Sequence, residues 1–325
     1  MSRQARVAVA ELTGILRCPA TGEGLALCAG GLQTPTGGRR YTLVDGVPVL
    51  VVAERSLFDP GALQRRRANS RRRDTRGRLR RALTANRISA ENLRHLRELL
   101  RPGPRASPAR RRRVLVVGGG ILGFGIEQLL GHDWLELVET DVYVGPRTAV
   151  VCDAHDLPFA EASFDAVIAQ AVLEHVIDPV RVVSEIHRVL VPGGLIYSEI
   201  PFMQPVHEGA YDFTRWTLGG HRRLLRDFDE LAAGAVGGPG EALAWSLRYF
   251  GLALAGDAVA IRRLVSLLAL LATLPLRWTD RLIGARPAGV DAASGTYLLG
   301  RRREQPRADR EIVATYRGAL GVVAR

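Results

Sequence analysis

A glycine-rich turn is the first feature of the chain that could bind a ligand. Gly118, Gly120 and Gly123 follow the apolar run Val114–Val117 with the spacing Gly-x-Gly-x-x-Gly. Glycines in this pattern permit a tight turn and let a ligand approach the backbone. We predict that a helix begins near Gly123 and points free N–H groups and its positive dipole end at the ligand. The turn does not by itself choose between a pyrophosphate group and another ligand.

Polar residues at the ends of the next predicted strands extend this candidate site. Asp141 ends the second strand, where a carboxylate would accept hydrogen bonds from two ribose hydroxyls, and Glu139 is an alternative on the same strand face. Asp153 follows the third strand and Gln170 ends the fourth. Because open α/β sheets bind ligands at the carboxyl ends of their strands, we assign Gln170 to the floor of the cofactor site.

The segment Pro201–Trp216 holds the candidate catalytic residues, because it follows the fifth strand at the same edge of the sheet. Its polar side chains include His207, Tyr211 and Asp212. We predict that His207 is a proton acceptor, since imidazole titrates near neutral pH. A histidine that only bonds to the backbone is the alternative. Tyr211 and Asp212 are further catalytic candidates, or they fix the shape of the segment.

Alternating strands and helices must position these residues. The predicted strands are Arg113–Val117, Leu135–Thr140, Thr148–Val151, Phe164–Ala169, Leu195–Ile200, Leu231–Val236 and Ser294–Gly300. Helices lie between them, notably Pro179–Leu190. This alternation predicts an α/β fold with a doubly wound, Rossmann-like sheet of seven strands.

Five signals follow one another along residues 113–200 in an order that resembles the class I S-adenosylmethionine (SAM)-dependent methyltransferases, specifically the type 11 methyltransferase domain family. They are the glycine turn and the segments Asp153–Phe159, Ser163–Asp165, Val172–His175 and Arg188–Leu195. The resemblance implies SAM as the cofactor, an Asp153 carboxylate that meets the adenine amino group, and an Ala154 N–H that faces a ring nitrogen. It also implies that the last strand is antiparallel and that His175 caps a local turn.

The reaction that this resemblance implies is a direct displacement of a methyl group from sulfonium sulfur. The enzyme mainly aligns the reacting atoms, and a base assists when the acceptor is a hydroxyl or a protonated amine. We predict a small-molecule or glycan acceptor and no metal. Val116 departs from the family pattern, because it stands where an acid often orients the amino group of the cofactor.

Residues 1–54 resemble the small Trm112-like zinc ribbon that often precedes such domains. In that pattern two pairs of cysteines bind zinc through their thiolates. Here only Cys18 stands at a ligand position. The other three positions hold Thr21, Thr34 and Gly37. One thiolate does not make a structural zinc site, so we predict a metal-free β-unit.

The chain divides into four predicted segments: the unit 1–54, an arginine-rich helical linker 55–110, a methyltransferase domain 111–301 with a helical insertion 241–290, and a basic tail 302–325. Leucines at helical spacing predict a helix over Ala90–Leu100. The arginines of 65–81 predict a solvated face. An anionic partner such as nucleic acid is the alternative, although that stretch lacks aromatic residues for base stacking.

Composition adds expectations about location and partners. All 45 basic residues are arginine and the formal net charge is +12. Three cysteines make no disulfide framework and we see no signal peptide, so we expect a cytoplasmic protein. Leu264–Leu276 is apolar but shorter than the ~20 residues of a membrane-spanning helix. We expect it to pack on the core or against the other subunit of a homodimer. Peripheral membrane contact is the alternative.

Three other functions stay open beside a small-molecule or glycan methyltransferase. Val114–Gly123 also fits a dinucleotide-binding oxidoreductase, although such an enzyme does not need the motifs after residue 150. The front unit also fits an rRNA or tRNA methyltransferase, although its zinc ligands are lost. Val116 leaves room for a catalytically inactive SAM-fold binding module.

Overall fold

The computed structural model describes residues 6–59, 61, 87–103 and 111–321. Its strands are β1 (Ala26–Cys28), β2 (Gly31–Gln33), β3 (Arg40–Val44), β4 (Val47–Leu50), β5 (Arg112–Val117), β6 (Leu135–Asp141), β7 (Thr148–Cys152), β8 (Phe164–Gln170), β9 (Leu190–Pro201), β10 (Phe228–Gly237) and β11 (Gly295–Arg302). Within the described residues they form one sheet in the order β1-β2-β3-β4-β7-β6-β5-β8-β9-β11-β10.

The seven strands from β7 to β10 in that order form the predicted doubly wound sheet. Neighbouring pairs from β7 to β9 are parallel, whereas β11 is antiparallel to both β9 and β10. The direction of winding reverses at β5, which pairs with β6 on one side and with β8 on the other. Ligands bind outside the carboxyl ends of the strands at such a switch point. The predicted fold class is confirmed, and it places the candidate site just after Val117.

Helices cover this sheet. They are α1 (Val9–Leu12), α2 (Arg87–Leu100), α3 (Pro179–Val189), α4 (Leu218–Leu224), α5 (Pro239–Leu254), α6 (Val259–Ile283), α7 (Pro287–Asp291) and α8 (Asp309–Ala314). The sequence at α3 explains its start, because Asp178 accepts a hydrogen bond from the Arg181 N–H and Pro179 suits the first helical turn. Its buried stripe consists of Val182, Val183, Ile186 and Val189.

The helix expected to begin near Gly123 does not form, so that prediction was wrong. Gly125 has a left-handed backbone, with φ of 82°, and only a 3₁₀ turn, Ile126–Leu129, follows it. Helix α2 packs at this point, since a Cβ placed on Gly125 would lie 2.8 Å from the Cα of Ala90. The glycine turn therefore lacks the helix dipole that we expected, and its N–H groups must be satisfied in another way.

The N-terminal unit extends the main sheet. Strands β3 and β4 form a hairpin whose two turn residues, Asp45 and Gly46, both have positive φ, as a type I′ turn requires. Strand β4 then pairs in parallel with β7, with Val49 opposite Val151. One buried apolar cluster contains residues of both parts of the chain, among them Leu12, Leu16, Leu32, Leu50, Phe159 and Phe164. The unit and the sheet therefore share a core.

The apolar segment Leu264–Leu276 lies in a longer element than we expected. Helix α6 has 25 residues, continues past Arg277, and forms a helical hairpin with α5. Its outer face does not pack on the core, since Leu264, Leu268 and Leu271 are each more than half exposed. Among the described helices, α6 is long and apolar enough to cross a membrane. The prediction of a short segment was wrong, because the flanking arginines do not end the helix. The prediction of core packing was wrong for the outer face, because its leucines are exposed.

The tail after β11 is held against the body of the protein. The Arg307 side chain is buried and forms ion pairs with Glu230 at 3.3 Å and Glu311 at 3.0 Å. The Tyr316 hydroxyl donates a hydrogen bond to Asp291 at 2.7 Å. The arginine-rich stretch 65–81 lies outside the described residues, so its predicted solvated face stays a prediction.

Because the N-terminal unit shares a core with the main sheet, we expect the two to unfold in one transition. Leu32 of β2 is fully buried, and Leu32→Ala removes its packing and leaves a cavity. All four tryptophans lie between residues 134 and 278, so their fluorescence in urea reports on the main sheet. The tryptophan-detected free energy of unfolding should fall by about 2–5 kcal/mol.

Leu27→Ala is the matched control for this experiment, because Leu27 lies in the same unit but is half exposed. It should change the free energy of unfolding by less than about 0.5 kcal/mol. A tryptophan transition that Leu32→Ala leaves unmoved would show that the two parts unfold independently.

Candidate functional site

The glycine turn is bound to the end of the second central strand, β6. The Gly120 N–H donates a hydrogen bond to Asp141 Oδ2 at 2.8 Å, and the Val142 N–H donates to Asp141 Oδ1 at 2.7 Å. A Cβ on Gly120 would lie 2.6 Å from Asp141 Oδ2, and one on Gly118, whose φ is 71°, would lie 2.6 Å from Val172. The turn and Asp141 therefore lie together as predicted, and the turn requires glycine at both positions.

Gln170 lies on the other side of the same turn. A Cβ on Gly123 would lie only 2.0 Å from Gln170 Oε1. The Gln170 Nε2 donates hydrogen bonds to the Phe124 carbonyl and to Glu199 Oε2, each at 3.0 Å. Gln170 Oε1 is buried and has no hydrogen-bond partner among the described residues. A buried acceptor of this kind is suited to a ligand that brings a donor.

Glu139, the alternative to Asp141, is engaged elsewhere. It is buried beside the ion-pair partner Arg147, whose Nε lies 2.7 Å from Glu139 Oε1. Burial raises the pKa of Glu139 to about 7, although the hydrogen bond from Arg147 opposes that rise. Val116 is buried in β5. The geometry favours Asp141 as the acid next to the turn, and its contact with ribose stays a prediction.

Asp153 forms hydrogen bonds within the protein that the sequence did not indicate. Its Oδ2 accepts a hydrogen bond from the Ser56 hydroxyl at 2.5 Å, and its Oδ1 accepts from the His155 N–H at 3.0 Å and lies 2.6 Å from His155 Nδ1. Burial would raise the pKa of Asp153, but the hydrogen bonds from His155 and Ser56 outweigh it and lower the pKa. Asp153 thus connects Ser56, just after the N-terminal unit, to the 3₁₀ turn that contains the buried Ala154. The adenine contacts of both residues stay predictions.

We call Pro201–Trp216 the flap. Its shape is set by Asp212, which pairs with the Arg215 guanidinium through both carboxylate oxygens and accepts a hydrogen bond from the His207 N–H at 2.9 Å. Burial would raise the pKa of Asp212, but the hydrogen bond from Arg215 outweighs it and holds the pKa at about 2. An ionised, doubly paired carboxylate is a poor proton acceptor, so the structure favours the shape-fixing alternative for Asp212.

Two histidines and an acid meet where His207 of the flap contacts the end of β8; we call them the polar cluster beneath the flap, since Glu174 and His175 lie under it. His207 Nε2 lies 3.1 Å from His175 Nε2, and Glu174 Oε1 lies 3.7 Å from each of these nitrogens. Burial and the neighbouring His175 lower the pKa of His207. Burial also raises the pKa of Glu174 to about 8. These three side chains are close enough to hold a metal ion.

Tyr211 contributes to this cluster through its backbone. Its carbonyl lies 2.7 Å from His175 Nδ1, whereas its ring stacks on Phe58 with centroids 5.6 Å apart. The structure therefore gives the Tyr211 side chain a packing contact with the segment that follows the N-terminal unit, and the predicted catalytic role of its hydroxyl stays a prediction. The His175 side chain bonds to the flap, and the predicted cap of its own turn stays a prediction.

Sequence reasoning missed Glu199 of β9. It is fully buried, and burial raises its pKa although the Tyr197 hydroxyl and Gln170 both hydrogen-bond to it. An acid inside the predicted strand 195–200 was the available signal, because a buried charge needs partners. Its position beside Gln170 makes it a support for the floor of the site.

The edge of the sheet beside the glycine turn suits a ligand that carries hydrogen-bond donors and approaches the backbone closely. Side chains at positions 120 or 123 would fill the space that separates the turn from Asp141 and Gln170. Gln170 Oε1 supplies an unused buried acceptor among the described residues. Ribose hydroxyls and an ammonium group are donors of the required kind, and SAM carries both.

Comparison with known proteins agrees with this geometry. Residues 132–198 match the methyltransferase domain family. Demethylmenaquinone methyltransferase of Clavibacter sepedonicus is 39% identical over 77 residues, which are 24% of this chain and 26% of that protein. The C-methyltransferase UbiE of ubiquinone and menaquinone biosynthesis from Desulfotalea psychrophila is 50% identical over 44 residues, or 14% and 18% of the two chains. This chain thus spans about a quarter or less of the length of these relatives.

Solved structures give more distant likenesses. A Haemonchus contortus phosphoethanolamine N-methyltransferase 2 complex with S-adenosylhomocysteine has a TM-score of 0.40 at 17% identity, over 66% of this chain and 53% of that one. A complex of the Haloferax volcanii Trm112 methyltransferase activator has a TM-score of 0.39 at 16% identity, over 67% and 92%. The structure places residues 132–198 within the doubly wound sheet. This part of the chain is a SAM-dependent methyltransferase domain.

Proposed function

We propose that this protein transfers the methyl group of SAM to a small-molecule acceptor bound between the carboxyl edge of the sheet and the flap. The observation that carries this proposal is the convergence of the glycine turn, Asp141 and Gln170 at the switch point of the sheet. Strand β8 ends at Gln170 and is followed within five residues by Glu174 and His175. The cofactor floor therefore adjoins the polar cluster beneath the flap.

The residues of the chain would act mainly by placement. SAM supplies an electrophilic methyl group on a sulfonium sulfur, and displacement at such a carbon requires alignment above all. The turn Gly118–Gly123 would hold the amino-acid end of the cofactor, and Asp141 would hold its ribose. Gln170, fixed between Phe124 and Glu199, would bound the floor. The polar cluster would receive the nucleophile of the acceptor and its proton.

The flap favours a small organic acceptor over a nucleic acid. Met203, Val206 and Phe213 of the flap are apolar and exposed, and pockets for small molecules are lined mainly by such side chains. The two quinone methyltransferases match only about a quarter of the chain or less, so their substrates suggest a class and do not define it. Soluble and lipid-linked acceptors, glycans included, are compatible with this surface.

The helical hairpin of α5 and α6 supports a second part of the proposal. Both helices expose apolar residues on their outer faces, namely Leu243, Leu247, Phe250, Leu254, Ile261, Leu264, Leu267, Leu268, Leu271, Trp278 and Leu282. Exposed arginines, Arg262, Arg263 and Arg281, lie on α6 beside them. Apolar helices with flanking arginines bind at the interface of membranes that contain anionic lipid. We propose that the hairpin docks on such a membrane surface.

The charge of the chain favours a membrane over a second copy of the chain. The exposed apolar residues recur at intervals of three and four, so each helix presents one apolar strip that either partner could cover. The net charge of +12 favours an anionic surface and repels an identical chain. The Tyr249 hydroxyl of α5 also donates to the Val206 carbonyl of the flap at 3.0 Å. Docking would therefore hold the flap near the lipid and favour an amphiphilic acceptor.

Gly120→Ala tests the cofactor site. A methyl group at this position would lie 2.6 Å from Asp141 Oδ2 and 2.8 Å from Tyr143, so the turn must move away from Asp141. We expect the affinity for S-adenosylhomocysteine, measured by isothermal titration calorimetry, to fall by at least about tenfold, or 1.4 kcal/mol.

Gly14→Ala is the control, because a Cβ at Gly14 meets nothing within 4 Å. It should bind S-adenosylhomocysteine like the unaltered protein. A wild-type protein that binds NADH or a flavin, and not S-adenosylhomocysteine, would favour the oxidoreductase instead. Binding of neither ligand would contradict the proposed function.

Membrane docking is tested by flotation with vesicles of phosphatidylcholine and phosphatidylglycerol. The wild-type protein should float with the vesicles, and the triple variant Leu264→Ser, Leu268→Ser, Leu271→Ser should lose at least about tenfold in binding. Each leucine side chain contributes about 1.5–3 kcal/mol when it is fully removed from water. Three leucines that are each half buried in lipid are therefore enough for this loss of binding.

The control variant carries Leu27→Ser, Leu57→Ser and Val313→Ser, three exposed apolar residues outside the hairpin. It should float like the wild type, and light scattering should report a monomer for all three proteins. A wild-type dimer that the hairpin variant dissociates, without flotation, would assign the surface to a second copy and reject the membrane.

A further inference from the structure

The polar cluster beneath the flap has the composition of a metal site. Two imidazoles and one carboxylate are a ligand set that zinc and related divalent transition metals accept. We propose that Glu174, His175 and His207 bind one such ion, with Zn²⁺ as the reference case. From the sequence we predicted no metal, since methyl displacement does not require one. The three residues come from two segments that only the fold brings together.

The distances between the ligand atoms carry the first step. With bonds of about 2.0–2.2 Å, two ligands of a tetrahedral zinc ion lie about 3.3–3.6 Å apart. The two Nε2 atoms of His175 and His207 are 3.1 Å apart, and each is 3.7 Å from Glu174 Oε1. These three separations bracket the expected value. The atoms therefore outline one face of a tetrahedral site.

The partners of the two imidazoles carry the second step. His175 Nδ1 lies 2.7 Å from the Tyr211 carbonyl, so this nitrogen donates and its Nε2 lone pair is free to bind a metal. His207 Nδ1 lies 3.3 Å from Asp212 Oδ2 and 3.5 Å from Arg215 Nη2. Metal binding uses the His207 tautomer whose hydrogen lies on Nδ1 and faces the Asp212 carboxylate. Metal-binding histidines usually have this support from a carbonyl or a carboxylate.

The state of Glu174 carries the third step. Its side chain is fully buried, and neither carboxylate oxygen has a hydrogen-bond partner among the described residues. A buried carboxylate without a partner is costly. Asp212 has its own cation in Arg215, whereas Glu174 lies beside two imidazole nitrogens, each 3.7 Å from its Oε1. A cation between the three atoms would satisfy the acid and both imidazoles at once.

The role of the ion, although not its binding, rests on the proposed methyl transfer. Three protein ligands leave a fourth position for an acceptor hydroxyl, whose pKa the ion would lower. The hydroxyl would release its proton to the solvent, and its oxygen would form a bond to the methyl carbon. The carbon–sulfur bond would break with its electron pair on sulfur, which yields S-adenosylhomocysteine. His207 would then act as a ligand, and the base predicted from the sequence would not be needed.

Metal binding is tested on full-length protein that has been treated with a chelator and dialysed. Titration with ZnCl₂ followed by calorimetry, and with CoCl₂ followed by visible absorption, should give one site per chain with tetrahedral cobalt bands. Glu174→Gln and His175→Ala should each weaken binding by more than the roughly 10–100-fold that loss of a second-shell partner costs. Asp212→Asn, which alters such a partner, should fall within that range.

Glu208→Gln is the control, because Glu208 is an exposed acid next to His207 in the chain but outside the cluster. It should bind zinc like the wild type. Glu174→Gln removes only a charge, so circular dichroism should report an intact fold. Zinc affinity that is equal in all variants, or absent from the wild type, overturns the proposal. Titration of the same samples with S-adenosylhomocysteine separates this failure from a failure of the cofactor site.

Discussion

The site depends on the contact between a backbone turn without side chains and two polar groups at the ends of neighbouring strands. The hydrogen bond from the Gly120 N–H to Asp141 is charge-assisted, and it forms only because no Cβ separates the turn from the carboxylate. Gln170 approaches Gly123 on the other side in the same way. These contacts replace the helix N-terminus that such turns usually use. The turn is therefore held by acceptors at its flanks rather than by a helix behind it.

The N-terminal unit supports this arrangement from the edge of the sheet. A zinc ribbon obtains its stability from the metal, whereas here the unit places its apolar side chains in the core of the larger domain. Cys18, the remaining residue at a ligand position, is buried with its Sγ 3.1 Å from the Tyr41 hydroxyl. The residues that directly follow the unit contact both sides of the candidate site, through Ser56 on Asp153 and Phe58 on Tyr211. The unit therefore has a structural role within the domain.

The sequence predicted the strands well, because each central strand is an apolar run bounded by turn residues. It also brought Asp141, Gln170 and the glycine turn to one edge, since parallel strands end together. It failed where distant segments meet. The helix predicted after Gly123 does not form, because Ala90 of α2 occupies the adjacent space. Ser56 and the cluster of Glu174 with His207 depend on tertiary contacts that no local pattern encodes. The sequence pattern underestimated the extent of α6, because Arg262, Arg263 and Arg277 interrupt its apolar run without ending the helix.

Two buried acids near the glycine turn differ in whether their carboxylates have hydrogen-bond partners. Glu199 is fully buried but shares its carboxylate with the Tyr197 hydroxyl and Gln170 Nε2, so it is a satisfied part of the floor. Glu174 is equally buried without such partners among the described residues. Folding alone would select partners for both, since an unsatisfied buried carboxylate costs stability. The difference implies that Glu174 is kept for a group that arrives after folding. The Tyr249 hydroxyl of α5 donates to the carbonyl of Val206, which precedes His207 in the flap, so the proposed membrane surface and the polar cluster adjoin each other.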